Sequence, residues 1–171
     1  MREPTGLERM RVQNGFTLVE LVVVLILVGV LAVVAMPRFR GVASFNTMGF
    51  TDRVMEGLRY AQKQAIAKRR NVCIAFASAT VSFTFASTAG SASPCNTALT
   101  GPAGQNPFLI VPENKSVVTF ATVPPGITFD ALGRPIVTAT GLPLAATQVI
   151  TVSGDTSRVF SVEPDTGYVH I

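Results

Sequence analysis

The stretch Gly15-Phe16-Thr17-Leu18-Val19-Glu20, running on through Leu21-Val22-Val23-Val24-Leu25-Ile26-Leu27-Val28 and closing at Pro37, decides how this chain is read. From Phe16 to Met36 the only polar side chains are Thr17 and Glu20. A helix over that run, at 1.5 Å per residue, spans roughly 30 Å, the thickness of a bilayer's hydrocarbon core. A carboxylate at the head of such a helix does nothing for a bare anchor. At mid-bilayer an acidic side chain costs about 2.5–3.5 kcal/mol, and less toward the interface. Glu20 is therefore a functional candidate. The bland alternative is an uncleaved signal anchor whose Glu20 reaches back to the headgroups.

Residues 1–15 form a short polar leader carrying Arg2, Arg9 and Arg11. The leader has no apolar core of its own, and no small-residue cleavage site follows the apolar run. It does not read as an ordinary secretory signal. Charge does not orient the span either, because Arg38, Arg40 and Arg53 on the far side balance the leader.

Beyond Pro37, which removes a backbone donor and crowds the preceding turn, a helical pattern resumes. Val54, Leu58, Ala61 and Ala65 recur at helical spacing, with Glu56, Arg59, Lys63 and Arg70 mainly on the other side. This predicts an amphipathic helix over 38–71, ending near Asn71, with its stripe against a sheet. After Asn71 the period changes to two. Strands are expected at 72–76, 81–85, 108–111, 116–122, 127–130, 148–153, 158–163 and 168–171. Gly154-Asp155 and Pro164-Asp165-Thr166-Gly167 are turn signals between the last three. Residues 87–107, rich in Ser, Gly, Pro, Ala and Thr, read as one long surface loop. The expected whole is α+β. A helix with a transmembrane half (16–37) and an amphipathic half (38–71) packs on an antiparallel β-meander head (72–171).

The net charge of +4 is uneven. Residues 38–70 hold eight basic side chains against Asp52 and Glu56, whereas residues 71–171 hold Lys115, Arg134 and Arg158 against five acidic ones. The basicity belongs to one helix and is weak support for nucleic-acid binding. No cofactor motif is present. Gly101-Pro102-Ala103-Gly104 lacks the Lys-Ser/Thr of a phosphate loop. The single histidine, His170, stands next to the last residue given and reads as an exposed or edge-strand side chain rather than part of a triad. Neither an enzyme nor a metal site is expected.

The glycine, aromatic, glutamate and helix-ending proline resemble the class III signal of type IV pilins and type II secretion pseudopilins. The resemblance implies cleavage after Gly15 by a prepilin peptidase, N-methylation of Phe16 by the same enzyme, and carriage of Glu20 into a filament. It also implies an inner-membrane span with the head in the periplasm, and other minor pilins or pseudopilins, the major subunit and an inner-membrane platform as partners. Export to an oxidising compartment would favour a Cys73–Cys95 disulfide. The alternative is one buried strand thiol and one idle loop thiol.

Three further strings are similar to the GspH/FimT family: Leu58-Arg59-Tyr60-Ala61-Gln62-Lys63-Gln64-Ala65-Ile66, Ile127-Thr128-Phe129-Asp130 with Gly133, and Gly167-Tyr168-Val169. They imply a type IV pilin-like fold, a long N-terminal helix packed on an antiparallel β-sheet or sandwich head, and a FimT/FimU-like minor pilin, with an H-type pseudopilin or a DNA-receptor pilin as alternatives. Pro37 with Arg38-Phe39 resembles the pilus branch more closely. The DNA-binding members carry arginines in the closing glycine turn, where this chain has Tyr168 and His170. Lys68-Arg69-Arg70 is the one dense basic cluster. It is readable as a phosphate contact, or as cations placed favourably at a helix C-terminus.

Overall fold

The computed structural model describes residues 16–35, 41–90, 94–113, 115 and 117–171. The chain divides into two units, Met1–Arg40 and Gly41–Ile171. Pro37 and the expected break in the helix lie outside the described residues, as does Gly15.

In the first unit, α1 (Leu18–Ala35) is an 18-residue helix. Leu, Val and Ile side chains face every direction around it and are exposed throughout, from Leu18 to Val33. Apolarity on all sides belongs to a helix surrounded by lipid or by other helices. No helix among the described residues is by itself long and apolar enough to cross a membrane. Eighteen residues give about 27 Å against the ~30 Å of a hydrocarbon core. The expected span of 16–36 runs past α1 at both ends, into the extended Phe16 and Thr17 and into residue 36, which lies outside the described residues.

The second unit is built on α2 (Gly41–Lys68). The predicted stripe is its buried face: Val54, Leu58, Ala61 and Ala65 are fully buried, and Phe50 extends the stripe one turn earlier. The helix stops three residues short of the expected end. Arg69 adopts a left-handed φ of 52°. The Arg70 amide donates to the Ala65 carbonyl and the Arg69 amide to that of Ile66. This is a Schellman closure with arginine at the position glycine usually takes.

Ten strands follow in two antiparallel sheets: β1 (Val72–Ala77), β2 (Thr80–Phe85), β3 (Thr97–Ala98), β4 (Leu109–Ile110), β5 (Thr119–Phe120), β6 (Ile127–Phe129), β7 (Pro135–Val137), β8 (Gln148–Ser153), β9 (Arg158–Val162) and β10 (Val169–His170). One sheet runs β3-β2-β1-β6-β7, with β4 also on the free edge of β2, and the other runs β10-β9-β8-β5. The meander expected from the sequence is corrected to two sheets. β1–β3 and β8–β10 each follow such a path and β6–β7 form a hairpin, while β6 pairs back with β1 and β8 with β5.

The long surface loop is also corrected. Within 87–107, Thr97 and Ala98 pair with Phe85 and Thr84, and Leu99 enters the core. The Leu99 amide donates to the Phe83 carbonyl and the Phe108 amide to that of Leu99. β7 was not foreseen because it opens on a proline, which a sheet admits at the first residue of an edge strand. The strand expected over 116–122 is only Thr119–Phe120 among the described residues.

One continuous core joins α2 to both sheets. Phe83 stacks on Phe108 at 4.4 Å between ring centres. Phe120 meets Phe50 at 5.6 Å and Phe76 at 5.5 Å, which ties the second sheet to α2 and to the first. Cys73 on β1 and Cys95 form a disulfide. It fastens the segment leading into β3 to the first sheet, and the Thr128 hydroxyl donates to the Cys73 sulfur from β6 at 3.2 Å.

Candidate functional site

Of the residues expected to act in processing and assembly, Phe16 and Glu20 lie at the entrance to α1, and Gly15 is outside the described residues. Phe16 is 79% exposed, and Glu20 lies in the first helical turn. The Glu20 amide donates to the Thr17 hydroxyl at 3.3 Å, and the Leu21 amide to the Thr17 carbonyl at 3.1 Å. Thr17 is thus the N-cap and Glu20 the third helical residue, the spacing of a capping box. A carboxylate there also faces the positive end of the helix dipole. Thr17-Leu18-Val19-Glu20 carries that signal in the sequence. The cap anchors Glu20 where the chain enters the helix. A carboxylate so placed can meet a cationic group supplied at the Phe16 end of a neighbouring molecule.

The basic cluster lies at the surface with its side chains partly engaged. The Lys68 ammonium sits 5.1 Å from the centre of the Phe85 ring. The Arg70 guanidinium donates to the Ser87 carbonyl and, at 3.5 Å, to that of Ala86. Arg69 supplies the left-handed residue of the helix cap. Lys68 and Arg70 thus have partners on the head's surface, and Arg69 has a conformational task, while Lys68 and Arg69 remain exposed.

The strings that are similar to the GspH/FimT family converge in space. Arg59 Nη2 donates to the Val169 carbonyl at 2.7 Å, with Nε at 3.3 Å. The Gln62 amide nitrogen donates to the Gly133 carbonyl at 2.8 Å and to that of Thr166 at 2.6 Å. One face of α2 therefore clasps two turns, one after β6 and one before β10. Both turns need glycine. Gly133 has φ 82°, and a Cβ there would meet Ile66 Cδ1 at 2.7 Å. Gly167 has φ 65°, and its Cβ would lie 2.8 Å from both Gln62 and Phe129. The Asp130 carboxylate organises the first turn by accepting from the Leu132 and Arg134 amides at 2.9 and 2.8 Å, and it pairs with the Arg134 guanidinium at 2.9 Å. Nothing local in these strings shows that Arg59 and Gln62 reach the Val169, Gly133 and Thr166 carbonyls. A spacing of three on a helix says which face a side chain occupies, but it does not say which distant carbonyl the side chain meets.

His170 has Glu163 and the Ile171 backbone oxygen as neighbours, with no serine or cysteine nucleophile in that set. Among the described residues, no group of three His, Cys, Asp or Glu side chains could hold a metal ion. An open groove of about 240 Å³ lies between α2 and β4, bordered by Arg53, Glu56, Tyr60, Gln105 and Phe108. Among the described residues, no serine, cysteine or histidine lines it.

Residues 10–36 match the prokaryotic N-terminal methylation motif. The chain thus carries a class III signal, ahead in sequence of a head in which a helix packs on antiparallel sheets. Among solved structures, the type IV minor pilin FimU of Pseudomonas aeruginosa strain PAO1 is similar. It is 15% identical, with a TM-score of 0.48, over 72% of this chain and 86% of that one. No curated protein matches the sequence.

Proposed function

We propose that the chain is a FimT/FimU-like minor pilin, a structural subunit that helps initiate a type IV pilus or forms part of it. The observation that carries this reading is the methylation motif over residues 10–36, heading a helix that is apolar on every side and followed by a separate head. In this reading a prepilin peptidase cuts after Gly15, where the hydrogen side chain permits close approach at the scissile bond. It then methylates the Phe16 amine. The residue-16 helix holds the subunit in the inner membrane with the head in the periplasm, until the assembly platform transfers it to a filament of other pilins.

Glu20 then pairs with the terminal amine of a neighbouring subunit. A carboxylate withdrawn from water among apolar helices needs such a partner, and the pairing sets axial register. The Thr17 cap supports this role by fixing the turn from which Glu20 projects.

The test is expression of wild type and Gly15→Val beside a prepilin peptidase. Intact-mass measurement should show the wild type shortened to begin at a methylated Phe16, and the variant unprocessed in the membrane. A normally shortened Gly15→Val product would defeat the assignment. Recovery of the wild type in a type II secretion pseudopilus, and not with sheared pili, would move the chain to the H-type pseudopilins.

A further inference from the structure

The outer face of the second sheet carries a four-residue cluster at the C-terminal strand. His170 Nε2 lies 2.8 Å from Glu163 Oε1, and His170 Nδ1 lies 3.1 Å from the Ile171 backbone oxygen. The Thr147 hydroxyl donates to the other Glu163 oxygen at 2.8 Å. The Tyr168 ring stacks on the imidazole, 5.2 Å between centres and 17° from parallel. Both ring nitrogens thus face acceptors that have no proton to give, one a carboxylate and one a backbone oxygen. A neutral imidazole has one N–H and can donate to only one of them. The cation donates to both, and an aromatic face stacked on it favours positive charge.

We propose that His170, Glu163, Thr147 and Tyr168 form a proton-operated latch that fastens β10, and the turn leading into it, to the sheet. The latch crosses three segments of the head: Thr147 just before β8, Glu163 just after β9, and His170 in β10. Protonated, it closes the open end of a strand that pairs with β9 through only two residues. Deprotonated, it keeps one imidazole hydrogen bond, loses the other together with the charge on the ring, and so holds β10 less firmly. From the elements packed on β10, α2 turns the Arg59 guanidinium to the Val169 carbonyl, and β9 carries Arg158 at its first residue, away from the two residues that pair with β10. Asp165 stands at the tip of the turn in a left-handed conformation, φ 61°. This inference does not depend on the pilin reading.

The electrostatics agree in direction. The Glu163 hydrogen bond, followed by the bond to Ile171, raises the His170 pKa above 6.5. The hydrogen bonds from His170 and then Thr147 lower the Glu163 pKa below 4.5. The histidine contribution is complete below its unfolded value and is lost as pH rises through the higher folded value. The glutamate contribution is present above its unfolded value and is lost as pH falls through the lower folded one. The latch is therefore fully closed between pH 4.5 and 6.5 and opens on the alkaline side. Side-chain exposures of 36% for His170 and 34% for Glu163 keep solvent screening in play, so the effect is local.

His170 is the single histidine of the sequence, so its ring signal in the full chain, held in detergent micelles, is unambiguous. NMR titration should place its midpoint above 6.5, and Glu163→Gln should move that midpoint down. Corrected for intrinsic base catalysis, exchange of the Glu163 amide, which donates to the Tyr168 carbonyl, should quicken as pH passes the midpoint. In His170→Asn it should be flat with pH. A wild-type midpoint at or below 6.5 would overturn the latch, as would one that Glu163→Gln leaves in place or amide protection indifferent to the ring's charge.

Discussion

The two helices of this chain use apolar residues in opposite ways. Around α1 they are spread over the whole circumference and remain exposed, and the single acidic residue sits in the first turn, where its backbone amide is capped by the Thr17 hydroxyl. Along α2 they are confined to one stripe that is fully buried, while polar side chains on the adjoining face take up carbonyls of distant turns. The first pattern is written for an environment outside the chain, and the second for the chain's own head. A substitution in α1 should therefore register in membrane and filament behaviour, and a substitution in α2 should register in stability.

The sharpest break would come from pairing Glu20→Ala with Leu58→Ala. Glu20→Ala removes a charge from an apolar helix, so insertion should be at least as good as in wild type. Recovery in sheared filaments should fall to near background, while the unfolding transition of the head stays where it was. Equal recovery of mutant and wild type would separate Glu20 from assembly. Leu58→Ala should do the reverse. Leu58 is fully buried between α2 and the sheets, and truncation there costs about 2–5 kcal/mol through lost burial and the cavity left behind. Chemical denaturation should show that loss, with processing at the leader unchanged. If Leu58→Ala left stability intact, the stripe would not be what holds α2 to the head.

A smaller effect tests the clasp. Gln62→Ala strips a donor from the Gly133 and Thr166 carbonyls. Leaving such groups without a protein partner costs about 1–3 kcal/mol, less where water replaces the donor. The loss should appear in denaturation as a reduced midpoint. Amide exchange should quicken in the turns around Gly133 and Gly167 more than in β1 and β2. Uniform quickening across both sheets would mean that Gln62 supports the whole head and not two turns.

Much of this architecture was legible because periodicity reports which faces are buried. The stripe Val54, Leu58, Ala61 and Ala65 and the alternation of Val81, Phe83 and Phe85 placed α2 and β2, and both lie in the core as read. What escaped depended on partners remote in sequence. Residues 97–99 lack any period because their order comes from β2 and the nearby disulfide. β7 opens on Pro135 and is defined by pairing with β6. The crossovers of β5 and β6 are set by which edges are left open once the hairpins form, and no local pattern records that. At the candidate site, residue types identified Glu20 and the two cysteines. The roles of Arg59 and Gln62 needed a fold to supply the carbonyls opposite them.

The smallest expected effect concerns Lys68, Arg69 and Arg70, which the helix comparison places on the stability side. Phosphate contacts dominate affinity for duplex DNA, and each neutralised phosphate steepens the dependence on salt. Lys68 would have to leave the Phe85 ring and Arg70 the Ser87 and Ala86 carbonyls to make such contacts. Residues 71–171, which supply both sheets, carry more acidic than basic side chains. Wild-type protein should bind duplex DNA no tighter than roughly 10⁻⁴–10⁻⁶ M at physiological salt, the nonspecific range. The triple variant Lys68→Ser, Arg69→Gly, Arg70→Gln should lower the logarithmic salt slope by about one unit or less, the share of a single phosphate. Arg69→Gly keeps the left-handed closure of α2, since glycine takes that conformation without strain. A change in binding would then report charge and not an unravelled helix end. Submicromolar binding abolished by the triple variant would show that the cluster does face phosphate, and the chain would be a DNA receptor displayed on a filament.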